Sequence, residues 1–92
     1  MTKEEIVSKI DDNTGVDKTV VLAIVEEFMT QVKDSLIERE NVYLRGFGSF
    51  IVKERKQKVA RNISKQVTIT IPAHSVPSFK PAKTFVESVK EK

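Results

Sequence analysis

Residues 53–71 read KERKQKVARNISKQVTITI, and the build of this stretch decides what kind of fold the chain can adopt. Its second half alternates Val67, Ile69 and Ile71 with Thr68 and Thr70, the period-two pattern of a β-strand. Its first half is mostly charged: Lys53, Arg55, Lys56, Lys58, Arg61 and Lys65 place six cations within thirteen residues. Folded as a hairpin with its tip near Asn62 to Gln66, the stretch makes a long two-stranded ribbon. Too few of its residues are apolar to bury either face, and an isolated ribbon is only marginally stable in water. The expectation is an arm that protrudes from a body, mobile when free and ordered by what it grips.

Immediately upstream, Val42-Tyr43-Leu44 and Phe50-Ile51-Val52 flank Arg45-Gly46-Phe47-Gly48-Ser49, where glycines suit a tight reversal between strands. Phe47 either folds back into its own core or inserts into a partner's. Farther upstream the chain reads as helical. Thr2 followed by Glu5 is a capping box, with Ile6, Val7 and Ile10 on one face and Gly15 suited to a left-handed helix end. Asp17 is the N-cap of a second helix running to about Glu38. Its apolar residues, from Val20 and Val21 through Ile24, Val25, Phe28, Met29 and Val32 to Leu36 and Ile37, recur at four-residue steps. Each step overshoots a full turn by about 40°, so the stripe drifts around the helix and needs cover on more than one side. A buried helix in a monomer is one reading; a helix packed against its own copy is the one the drift favours.

Downstream, Pro72, Pro77 and Pro81 punctuate a connection holding Val76 and Phe79. A last helix from about Ala82 sets Phe85, Val86 and Val89 on one face. No segment repeats and none is a linker. The expectation is one α+β domain over residues 1–92, with a helical base at about 2–39, sheet and arm at about 41–76, and a C-terminal helix at about 82–90.

Composition narrows the class further. A chain of 92 residues buries only roughly 60–65% of the surface its unfolded form exposes, and a protruding arm worsens that balance. With no cysteine there is neither disulfide framework nor thiolate zinc site, and one histidine, His74, makes no metal cluster. The extra burial is expected from a partner chain. No apolar run approaches the roughly 18 residues of a membrane span, and Met1-Thr2-Lys3-Glu4-Glu5 is not a signal region. A cytoplasmic location is the expectation. Charge is segregated: the net is −4 over residues 1–52, +7 over 53–83 and zero over 84–92. A basic run is often just a solvated face, but such polarity within one small chain points to a polyanion.

Catalysis finds no footing. His74 sits in a proline-flanked connection with no carboxylate to orient it, and reads as a surface residue. The pairs Glu4-Glu5, Asp11-Asp12 and Glu26-Glu27 are adjacent on helices, so their members point apart. Gly46-Phe47-Gly48 leads into a strand and not into a helix N-terminus, so it is no phosphate loop. No enzyme, metal, cofactor or small-molecule substrate is expected. The arm, by contrast, has the width of a DNA groove, and its cations can reach phosphates on both sides. Arg61, Asn62 and Lys65 suit a minor groove. Ile63, apolar beside this charged tip, is either a turn residue packed on the arm or a wedge between base pairs.

Three motifs in order, Gly46-Phe47-Gly48-Ser49-Phe50, Arg61-Asn62 in a basic hairpin, and Val76-Pro77-Ser78-Phe79-Lys80-Pro81-Ala82-Lys83, resemble the bacterial HU and integration host factor family from Thr2 to about Lys90. The resemblance implies an intertwined dimer: a helical base, a small antiparallel sheet as saddle, and one protruding β-ribbon arm per chain. It implies arms that wrap duplex DNA through the minor groove and bend or compact it at the nucleoid. Phe47 would lie in the shared core with Phe28, Phe50 and Phe79, and Lys80 and Lys83 would hold phosphates. The DNA-binding set so implied is Lys53, Arg55, Lys56, Lys58, Arg61, Asn62, Ile63, Ser64, Lys65, Lys80 and Lys83. Where the family has an intercalating proline after Arg-Asn, this chain has Ile63. Ser64-Lys65-Gln66 replaces a tip turn that usually contains glycine. Isoleucine can unstack a base step, but lacks the fixed φ of proline and leaves Asn62 less restricted.

Two rival readings stay on the table. An RNA-binding or ribosome-associated arm would want aromatics to stack on bases, yet none of the five Phe and one Tyr lies on the arm. A protein-interaction module would add the arm to a partner's sheet, with little dependence on salt. Homodimer and heterodimer are equally compatible with one sequence.

Overall fold

The computed structural model describes residues 1–62 and 67–92, with the backbone alone for Ala60, Arg61, Asn62 and Val67. The chain divides into two compact units, residues 1–35 and 36–92.

The first unit is set by its caps. Helix α1 spans Lys3–Thr14; the Thr2 hydroxyl accepts from the Glu5 N–H at 3.3 Å, and Gly15 ends the helix at φ 75° while donating to Asp11 O at 2.8 Å. A residue with a Cβ would be strained at that left-handed position. Helix α2 spans Lys18–Ile37, and the Asp17 carboxylate accepts from the Thr19 N–H at 3.2 Å and from the Thr19 hydroxyl. These bonds hold the Asp17 carboxyl below its ordinary value, the hydroxyl contributing most. Lys3 Nζ donates to Glu26 Oε1 at 2.8 Å, tying the start of α1 to the middle of α2. That contact lowers the Glu26 carboxyl and raises the Lys3 ammonium. Val7 and Val21 are the buried apolar side chains among the described residues. The α2 stripe extends well beyond them: Ile24 is 61% and Phe28 45% exposed.

The second unit opens with β1, Val42–Leu44, and β2, Gly48–Arg55, joined by a turn in which the Phe47 N–H donates to Leu44 O at 3.0 Å. Gly46 takes φ 81° in that turn. Strands β3, Lys58–Asn62, and β4, Val67–Ile71, form a two-stranded sheet of their own. Strand β5, His74–Pro81, returns to pair with β2, giving a three-stranded antiparallel sheet of order β1-β2-β5. Helix α3, Lys83–Lys90, closes the chain.

Two features differ from the sequence reading. The proline-punctuated connection is a strand, paired with β2 along its full length from Gly48↔Pro81 to Arg55↔His74. Asn41 explains why prolines fit. The Val52 N–H donates to Asn41 Oδ1 at 3.0 Å, away from β5, so Val52↔Pro77 is a pair without ladder bonds. The nitrogens of Pro77 and, by the same parity, Pro81 therefore face the open edge of β5, where no donor is required. The second difference concerns the ribbon. It is interrupted between Arg55 and Lys58 and between Ile71 and His74, so Lys53 and Arg55 belong to the body sheet, not to the arm. Pro72, which cannot donate, lies in this break.

Aromatic side chains cluster on one face of the body sheet. Phe50 and Phe79 face each other across the strands with ring centroids 4.9 Å apart, and Phe47 lies 5.1 Å from Phe79 and stacks on Phe85 at 5.6 Å. Of the two readings of Phe47, the chain's own cluster is therefore one contact it makes, yet 45% of its surface remains exposed. Gly48 is the tight point: a Cβ there would stand 2.6 Å from both Lys80 O and the Phe79 ring.

Candidate nucleic-acid interface

Strand register sorts the charges. Because paired residues share a face and successive residues alternate, Ser49↔Lys80, Ile51↔Ser78, Lys53↔Val76 and Arg55↔His74 line one side of the body sheet. Tyr43, paired with Ser49, lies on that side too. Gly48, Phe50, Val52 and Glu54 lie on the other, with the aromatic cluster. Lys53, Arg55 and Lys80 thus present three exposed cations on one face. Glu54, the one acid of residues 53–83, is turned to the opposite face, where its Oε1 accepts from the Ser75 hydroxyl at 2.8 Å. His74 is exposed and shares a 3.0 Å hydrogen bond with Pro72 O, in line with a surface role.

At the end of this face a groove is lined by Arg45, Lys80 and Lys83 together with Tyr43, Ser49 and Pro81, without a carboxylate. Ala82 caps α3 with no side-chain hydrogen bond, so the first N–H groups of the helix remain available beside Lys80 and Lys83. Arg45 was not among the residues expected to bind. It reads as a turn residue because it precedes the glycines, and only the fold-back of β5 brings Lys80 to it. Its one signal in the sequence is a cation at the rim of a tight turn, which is weak by itself.

Of the remaining expected residues, exposed Lys56 lies in the break between the sheets and Lys58 begins β3. Arg61 and Asn62 end β3, in register with Thr68 and Val67. Ile63, Ser64 and Lys65 lie outside the described residues. The four phenylalanines expected in a dimer core divide between units: Phe28 lies on α2, beside Ile24 in an apolar groove, and Phe47, Phe50 and Phe79 lie in the sheet cluster. A second apolar groove joins Phe79 and Pro81 to Phe85, Val86 and Val89 of α3. Among the described residues no helix is long and apolar enough to cross a membrane.

The profile of the family described as bacterial DNA-binding protein matches residues 1–90. The chain belongs to that family. Among relatives in the bacterial DNA-binding protein family, the SPbeta prophage-derived DNA-binding protein HU 2 of Bacillus subtilis is 37% identical over the whole of both chains. The integration host factor subunit alpha of a Marinomonas species is 35% identical, covering 99% of this chain and 93% of its own. Among solved structures, an Anabaena HU–DNA cocrystal superposes with a TM-score of 0.92 at 32% identity, with both chains covered completely. Thermotoga maritima HU superposes with a TM-score of 0.70 at 27% identity, covering 97% of this chain and 98% of that one. The α+β architecture with a two-stranded arm is thus the one anticipated from the sequence.

Proposed function

We propose that the chain is a non-enzymatic architectural DNA-binding protein, acting as a dimer that holds duplex DNA between two β-arms and bends it. The observation that carries this reading is the sorting of the body sheet, cations on one face and phenylalanines on the other, with Glu54 turned away. A duplex lying along that face meets Lys53, Arg55 and Lys80, with Arg45 and Lys83 at its end and Lys58 leading into the arm. Phosphate neutralisation by these groups releases counterions and supplies most of the affinity. The relatives named DNA-binding protein HU and the HU–DNA cocrystal support the same ligand.

Whole-chain action as one DNA-binding domain needs a second chain, because Val7 and Val21 are the only buried apolar side chains among the described residues, while Ile24, Phe28 and Val89 lie open. Pairing two such chains, identical or related, covers the α2 and α3 grooves and places Phe28, Phe47, Phe50 and Phe79 in a common core. The integration host factor relative is named as a subunit, consistent with a related partner. In each arm Arg61, Asn62, Ser64 and Lys65 enter the minor groove and Ile63 unstacks a base step at a few kcal/mol. Smooth bending of the site adds on the order of 1–6 kcal/mol, within reach of this number of cationic contacts. The site of action is the cytoplasmic nucleoid.

The test is energy transfer between the ends of a duplex of roughly 35 base pairs, longer than a bent site, across a salt titration. The protein should bring the ends together, and Ile63→Ala should lose most of the bend while keeping most of the salt-dependent affinity. Ends that stay apart at saturating protein would overturn the architectural reading, leaving the arm as a tether.

A further inference from the structure

Tyr43 is a large polar side chain on the cationic sheet face that the foregoing roles leave unused. It is 72% exposed and begins the cross-strand row Tyr43–Ser49–Lys80. Its phenol is steered from one side. Asn41, just before β1, uses Oδ1 to accept the Val52 N–H at 3.0 Å, which fixes the orientation of its amide. Its Nδ2 is then a donor, and it donates to Tyr43 Oη at 3.3 Å. A hydroxyl carries one hydrogen and two acceptor sites, so a phenol that accepts from Asn41 still has its own hydrogen to give.

The surroundings select the acceptor. The groove beside the ring holds Arg45, Lys80 and Lys83 and no carboxylate, so its own lining offers no anion to take that hydrogen. An oriented neutral donor on a residue that lines a groove with three cations fits a singly charged phosphodiester, with the cations neutralising the charge and the phenol setting the position of one oxygen. Building on the DNA-binding reading above, we infer that Tyr43, oriented by Asn41, donates to a backbone phosphate of the duplex in the groove of Arg45, Lys80 and Lys83. Tyr43 is a positioning contact on the body, independent of the arm tip. Because the donor is neutral it displaces no counterion, and because it meets the backbone it does not read sequence.

The experiment compares the full-length protein with Tyr43→Phe, which removes one oxygen from an exposed side chain. Binding to A·T-rich and G·C-rich duplexes is followed by anisotropy of labelled DNA over a salt series. In parallel, 3-fluorotyrosine at the chain's single tyrosine gives one fluorine resonance. The expected result is a roughly tenfold rise in Kd for Tyr43→Phe, the order of a broken hydrogen bond to a charged group, equal on both duplexes and with the salt slope unchanged. The fluorine resonance should shift in step with the anisotropy. A resonance that stays put while anisotropy saturates, a Kd within about twofold of the parent, or a loss confined to one duplex each overturns the Tyr43 contact while leaving DNA binding intact. Failure of the parent protein to bind either duplex would instead overturn the DNA-binding reading itself.

Discussion

Replacing Gly48 by alanine should unravel the body sheet from its tightest point. Gly48 is buried in the central strand, paired with Leu44 on one side and Pro81 on the other. A Cβ there would stand 2.6 Å from Lys80 O, which is backbone, and 2.6 and 2.7 Å from two atoms of the Phe79 ring. Reaching ordinary contact near 3.4 Å requires a displacement of about 0.8 Å, from the same two distances. Shifting the β2–β5 ladder by that amount puts one or two of its hydrogen bonds out of range, at about 1 kcal/mol each. Rotating Phe79 instead disturbs its packing on Phe47 and Phe50, at about 0.5–1.5 kcal/mol per ring pair. The first route costs about 1–2 kcal/mol and the second about 1–3, besides the backbone strain of a side chain at φ 159°, and the steric part alone lowers the melting temperature of a domain this size by roughly 4–24 °C. Gly46→Ala is the matched control: φ is 81° with nothing within 4 Å, so it carries only the left-handed strain of about 1–2 kcal/mol. Calorimetry at one fixed protein concentration, necessary for a dimer, compares the two. Equal melting temperatures, or a Gly46→Ala protein less stable than Gly48→Ala, would refute the steric argument.

Other expectations follow from the sorting of charge. Lys80→Ala combined with Lys83→Ala should reduce the slope of log K against log salt by about 0.9 for each phosphate that is no longer neutralised. Glu54→Gln, on the far face, should leave that slope where it was, and equal effects would show that the two faces are not distinct. For the Lys3–Glu26 pair, the lowered Glu26 carboxyl means its contribution is present above the ordinary value of 4.5 and fades as pH falls through the lowered one. The raised Lys3 ammonium means the contribution holds below 10.5 and fades as pH rises through the raised value. Lys3→Met should therefore lower the melting temperature at neutral pH, with the gap closing in acid, in strong alkali and in high salt. A gap independent of pH would point to packing and not to charge.

The helical half of the chain was legible because its signals are local. Thr2, Gly15 and Asp17 act on backbone groups within four residues, and each does what its side chain or its lack of one suggests. Strand β5 was not legible: Pro72, Pro77 and Pro81 read as interruption, and only the direction of the Val52 N–H reveals that two of them sit where no donor is needed. The assignment of Lys53 and Arg55 to the arm failed for a related reason. Nothing in the run of cations marks where pairing with one strand ends and pairing with another begins. Arg45 went unnoticed because its companions, Lys80 and Lys83, lie 35 and 38 residues away in sequence and reach it only through the β2–β5 register. The arm was legible in residues 53–71 themselves, while the resemblance in the glycine and proline motifs supplied the saddle and the expected role of Lys80 and Lys83.

The two margins of the body sheet bear on how the protein lives at high concentration. Strand β1 offers only three residues, and the outer margin of β5 lacks an N–H at Pro77 and again at Pro81. Neither margin can template a further strand, since a recruited segment would find too short a run on one side and missing donors on the other. A protein crowded along DNA by its charge is thereby kept from polymerising through its own sheet. The same gaps also count against recruiting foreign chains by strand addition to the body. Pro77→Val and Pro81→Val together would restore the missing donors, and the resulting protein should become prone to fibrous growth, seen as light scattering that rises with concentration.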